Sequence, residues 1–77
     1  MFIKLAEDYS VNSDAILYVE WNKVIDLVEQ ETGKKIQWRQ THIHFKGSQT
    51  VLILSDNTSL NYDTNVRQLK KALGVTA

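Results

Sequence analysis

The sequence predicts an α+β domain, a small twisted antiparallel sheet of about five strands with two packed helices, in the order β-β-α-β-β-β-α. Three observations lead to this. Short β-branched and aromatic runs, ILYVEW and TVLILS among them, are separated by Ser, Asn, Asp and Gly. Two other stretches carry apolar residues at helical spacing, one beginning at Trp21 and one at Val66. The 77 residues, with no proline and three glycines, make a single domain over 1–77 with no linker.

Phe2, Ile3 and Leu5 open the chain as a short strand, with Phe2 or Ile3 inward according to register. YSVNSDA (9–15) has the Ser/Asn/Asp content of a turn, and ILYVEW (16–21) reads as the second strand. Between 22 and 32 the expectation is a helix. Trp21, Val24, Ile25 and Val28 fall at i, i+3, i+4 and i+7, Asn22 suits an N-cap and Gly33 a C′ position. The competing reading is a long hairpin arm, because Ile25 and Leu27 also alternate with polar residues.

From Lys34 the pattern is again β. Ile36 and Trp38 share one parity, while Ile43 and Phe45 share the other, and a regular strand cannot send all four to one face. A bulge near Gln40 and Thr41 would reconcile them. Gly47-Ser48 then turns into a strand over 50–55, and Asp56-Asn57 suits a two-residue hairpin returning as a last strand over 58–62. The final helix is capped by Asp63 or Thr64 and lined by Val66, Leu69 and Leu73. Lys70 and Lys71 sit near its negative end, and Gly74 stops it. The expected core is Leu5, Ile16, Val19, Trp21, Ile25, Val28, Val51, Ile53, Leu60, Val66, Leu69 and Leu73.

The totals exclude several function classes. There is no cysteine, hence no disulfide and no thiolate metal site. The start MFIKLAEDYS lacks the apolar run of a signal peptide, and no apolar run reaches the roughly 18 residues of a membrane span, so a cytoplasmic location with no membrane partner is expected. Net charge is zero, but residues 1–33 hold seven acids against two bases, a net of −5, and residues 34–77 the reverse, +5. Such asymmetry points to an anionic partner or to self-association unless the two halves interleave in space.

Residues 36–47, IQWRQTHIHFKG, hold most of the candidate site residues. His42 and His44 project from one face of a regular strand, opposite Ile43 and Phe45. Two imidazoles at i, i+2 can chelate an ion, but a site needs a third ligand and no acid stands at a telling spacing, so no metal and no cofactor is expected. Lys34, Lys35, Arg39 and Lys46 with Trp38 form a basic-aromatic strand that could track phosphates and stack bases. Arg67, Lys70 and Lys71, and the acids Asp26, Glu29 and Glu31, read as solvated helix faces. No G-x-S-x-G, glycine-rich phosphate loop or H-E-x-x-H occurs, and so small a domain offers little room for a cleft, so no enzyme is expected.

Two segments resemble small FlbD-type flagellar-operon proteins: VNSDAILYVEW (11–21), an Asn-x-Asp turn leading into an apolar strand, and VLILSDNTSLNYDTNVRQLKKAL (51–73), a strand, an Asp-led turn, a strand and a helix. The latter β-turn-β layout is also similar to that of LytTR-type DNA-binding domains. Together the segments cover less than half the chain. Residues 22–47 have no counterpart, and Asn57 stands where the closing turn usually has Gly. The resemblance implies a small regulatory or interaction protein without catalysis and assigns no site residue.

The expectation is therefore a non-enzymatic interaction or regulatory module that binds another protein, with a homodimer as one form. The alternative is a nucleic-acid-binding protein using strand 34–46. The residues singled out for binding are Lys34, Lys35, Arg39, His42, His44 and Lys46.

Overall fold

In the computed structural model, which describes residues 1–5 and 9–75, five strands fall into two antiparallel sheets with one α-helix against them. Strands β1 (Phe2–Leu5) and β2 (Tyr9–Asn12) form a two-stranded ribbon, and a 3-10 turn over Ser13–Ala15 follows β2 and leads into the next strand. The turn is held locally. Asn12 Oδ1 accepts from the Asp14 N–H, and the Ser13 N–H and hydroxyl both donate to the carbonyl of Met1. Strands β3 (Ile16–Val28), β4 (Lys35–Phe45) and β5 (Val51–Ser55) form the second sheet in that order. Helix α1 (Tyr62–Leu73) packs on β1 and β5.

The α+β class stands, but the expected single five-stranded sheet with two helices does not. Among the described residues there is one helix, and the strand order differs. YSVN, expected as a turn, pairs with β1 because Val11 buries opposite Ile3. The segment 58–62 does not return as a strand. Asp56 spends its carboxylate on Arg39 of β4, Ser55 donates to Asn57, the Ser59 hydroxyl accepts from the Asn61 N–H, and the chain turns into α1. Leu60, expected in the core, is fully exposed on that turn.

In place of the helix expected over 22–32, residues 22–28 are the far half of β3 and 29–32 belong to the hairpin turn. Ile25 pairs with Trp38 and Leu27 with Ile36, so the alternation in β3 matches an apolar pair waiting on β4. Val24, Ile25 and Val28 are β-branched, which favours the strand. Gly33 does not cap a helix; at φ +67° it closes the hairpin, with the Glu29 N–H donating to Lys34 O and the Gly33 N–H to Glu29 O.

The parity conflict on β4 has a related answer. Strand β4 alternates without interruption. Thr41, Ile43 and Phe45 face the helix, while Ile36, Trp38, His42 and His44 face away. The bulge lies on the neighbouring strand, where Trp21 and Asn22 of β3 together oppose the single residue Thr41. Asn22 carries the positive φ, 48°, at that point. A second irregularity leaves Leu17 between the pairs Ile16–Phe45 and Tyr18–His44.

The core lies between the base of the large sheet, the small ribbon and α1. It comprises Ile3, Leu5, Val11, Ile43, Leu54, Tyr62, Val66 and Leu69, with Ile16, Val19, Trp21, Phe45, Leu52, Ala72 and Leu73 packed around it. Val28 and Ile53, expected inside, are about half exposed because they stand on the arm and on the outer face. Gly74 ends α1 in the left-handed region, its N–H donating to Lys70 and Lys71 carbonyls, as the sequence predicts. The first turn of α1 has Asn61 at the N-cap, without the side-chain cap expected from Asp63 or Thr64.

Candidate functional site

Strand β5 covers only Gln40 to His44 of β4, so the rest of the β3–β4 hairpin projects as a two-stranded arm. The molecule accordingly measures 46 × 26 × 25 Å. Val24, Leu27 and Val28 on the arm are exposed by 58%, 50% and 53%, and the outer edge of β3 pairs with no described strand.

The six candidate residues do not form one surface. Lys34 and Lys35 lie at the arm's turn, and Lys46 follows the opposite end of β4, its N–H bonded to Ala15 O. At about 3.4 Å per residue the two ends are roughly 37 Å apart. Lys35 and Arg39 share parity with Thr41 and so lie on the face opposite His42 and His44. Arg39 is committed to acids: Nε donates to Asp56 Oδ2 (3.1 Å), Nη2 to Asp63 Oδ1 (3.0 Å), and its backbone N–H to Asp56 Oδ1 (2.9 Å). The hydrogen bond that Arg39 donates to Asp56 and the charge of Asp63 push its pKa further up. The basic strand thus presents separated cations, the middle one already neutralised. The acidic and basic halves of the chain also interleave, because β3 and β4 are neighbours along the whole arm. Glu7 and Asp8 of the acidic half lie outside the described residues.

His42 and His44 are brought together with a residue that spacing along the chain does not reveal. Glu20 of β3 sits directly across from His42, and His44 is on the adjacent diagonal. The three residues each place one ligand-type atom within 4.8 Å of the others. His44 Nε2 is 2.7 Å from Glu20 Oε1, and the Lys23 ammonium is 3.0 Å from Glu20 Oε2. Those two bonds, Lys23 first and His44 second, hold the Glu20 carboxyl below the usual carboxylate range. The Tyr18 ring stacks on His44 with centroids 4.0 Å apart and planes 12° off parallel. His42 Nε2 lies 2.9 Å from Gln40 Oε1.

The bulge on β3 makes this cluster. From Val28–Lys35 to Lys23–Gln40 the register is regular, and continuing it would set Glu20 opposite Ile43, on the buried face. The extra residue at 21–22 moves Glu20 opposite His42, onto the outer face. The signal available in the sequence was the broken parity between Trp38 and Ile43, read with a hairpin turn at Gly33 rather than a helix cap.

A second polar cluster holds the bulge from the other side. The Asn22 N–H donates to Thr41 Oγ1 (3.2 Å), and the Tyr62 hydroxyl, 2.9 Å from Thr41 Oγ1, donates to Asn22 Oδ1 (2.8 Å). With the Tyr62 proton committed to Asn22, the Thr41 hydroxyl donates to Tyr62, and the three residues close a ring of hydrogen bonds. Thr41 and Tyr62 are buried, where such a ring is worth most.

Comparison with family models, with curated proteins and with solved structures finds no match for this chain. No helix among the described residues is long and apolar enough to cross a membrane.

Proposed function

We propose that this protein is a non-enzymatic interaction module that docks on another protein, a second copy of itself included, through the β3–β4 arm. The observation that carries this is the arm itself, a two-stranded ribbon beyond the reach of β5 with Val24, Leu27 and Val28 half or more exposed. A two-stranded hairpin alone is marginal in water, so a covering surface stabilises it. The open edge of β3 offers backbone donors and acceptors to an added strand, and the apolar side chains offer area.

The test is light scattering coupled to size exclusion, on the wild type and on Leu27→Lys and Val24→Asp. An assembly larger than one chain that both variants dissolve, with unchanged circular dichroism, supports docking of two copies through the arm. A wild-type monomer at every concentration, with no protein retained on immobilised wild type that the Leu27→Lys column fails to retain, overturns the proposal. Retention of random DNA that weakens with salt and with Lys35→Glu would favour the nucleic-acid reading instead.

A further inference from the structure

We propose that Glu20, His42 and His44 form a binding site for a first-row divalent cation that prefers imidazole, with Zn2+ the expected ion. The donor set is two ring nitrogens and one carboxylate, the composition that suits Zn2+, Ni2+ or Cu2+ over Mg2+ and Ca2+, which take mostly oxygen.

The geometry is close to what such an ion needs. Around a tetrahedral metal with bonds of about 2.1 Å, donor atoms stand roughly 3.3 Å apart. Here they lie within 4.8 Å of one another, and His44 and Glu20 are already at 2.7 Å. Closing the remaining gap takes side-chain rotation on paired strands: His42 and His44 stand on β4, held between β3 and β5 at this height, and Glu20 on β3 is paired across to His42. The backbone therefore does not have to be organised by the ion.

The surroundings also resemble those of a metal ligand shell. Gln40 Oε1 stands 2.9 Å from His42 Nε2, the kind of outer partner that orients a metal-binding imidazole. Tyr18 stacked on one side limits the swing of the His44 ring. The cluster remains open to solvent, with His44 21% and Glu20 36% exposed at the side chain, so an ion has a path in and a coordination position left for water. Lys23 plays the opposing part: its ammonium neutralises Glu20 in the empty site and must swing away when a cation arrives. For His44 Nε2 to take the metal, the neutral ring must carry its one proton on Nδ1, so the metal bond replaces the Nε2–H contact to Glu20 and the proton moves to Nδ1 through solvent.

The experiment is calorimetric titration of Zn2+ into the full chain, with Co2+ absorption as an independent report of the ligands and with Mg2+ and Ca2+ as controls. One Zn2+ per chain is expected. Affinity should fall tenfold or more in Glu20→Gln and in His44→Ala, a loss at least equal to that seen when only an outer partner of a ligand is removed. It should rise severalfold in Lys23→Ala, which removes the competitor. Glu20→Gln keeps shape and hydrogen-bonding capacity, so it reads the ligand even where a histidine variant fails to fold. Absence of heat and of a thermal shift at millimolar Zn2+ overturns the proposal. So does binding left unchanged by Glu20→Gln and by the His42→Ala/His44→Ala pair, which would place the ion elsewhere. A ratio of half an ion per chain also overturns it in this form, since the ion would then be shared between two copies.

Discussion

The hydroxyl of Tyr62, in the first turn of α1, donates to Oδ1 of Asn22, in the bulge of β3, across 2.8 Å and 40 residues of sequence. Thr41 of β4 completes the ring between them. This small polar cluster fixes where the regular arm ends and where the base of the sheet begins.

Tyr62→Phe removes one hydroxyl, leaving the Thr41 hydroxyl and the Asn22 carbonyl oxygen without it as partner. A loss of about 1–3 kcal/mol is expected, the usual cost of stranding buried polar groups. Urea unfolding measures it, and Thr41→Val combined with Tyr62→Phe should cost less than the two single changes added together.

Asn22 has two jobs that substitution can separate. Its backbone is at φ 48° and its side chain accepts from Tyr62. Asn22→Gly keeps the backbone comfortable and loses the acceptor; Asn22→Ala loses both. The alanine variant should be less stable than the glycine variant by about 1–2 kcal/mol, the left-handed penalty for a residue with a Cβ. Equal stabilities would show that the bulge relaxes in solution.

Core and arm should differ sharply in what truncation costs them. Ile43 is fully buried, so Ile43→Ala should cost about 2–5 kcal/mol. Leu27 is half exposed, so Leu27→Ala should change the monomer's stability by within about 0.5 kcal/mol. Denaturant titration of both at a concentration where the chain is a monomer makes the comparison.

Arg39 ties β4 to Asp56 and Asp63, and its ring-side contact with Tyr62 is 5.2 Å from the centroid. The side chain is 45% exposed, so water and salt screen these pairs. Arg39→Ala should lower the melting temperature by less than Tyr62→Phe does, and 1 M salt should shrink the difference from wild type. A drop that salt leaves untouched would mean that packing on Tyr62 matters more than charge.

What short-range patterns can express was legible in the sequence. β-branched runs marked the start of β3 and all of β5. The spacing of Val66, Leu69 and Leu73 and the stop at Gly74 marked α1, and alternation put the histidines on the face away from Ile43. Residues 22–28 were not legible, because Trp21, Val24, Ile25 and Val28 satisfy a helical period while Ile25 and Leu27 satisfy a strand. Only the presence of Trp38 and Ile36 across the turn decides between them. Glu20 escaped for the same reason. Its place beside His42 depends on a hairpin and a one-residue slip, both properties of pairing between strands.

The two tryptophans stand on opposite faces of the sheet. Trp21 packs against the core with the Lys70 ammonium 5.3 Å from its ring centroid, while Trp38 pairs with Ile25 on the arm, its indole N–H shielded from solvent without an acceptor. The chain therefore carries two native optical probes with separate fields of view. Global unfolding shifts the emission of both indoles to longer wavelength. An event confined to the arm perturbs the Trp38 contribution alone, and Trp21→Phe and Trp38→Phe variants resolve the two signals without any added label.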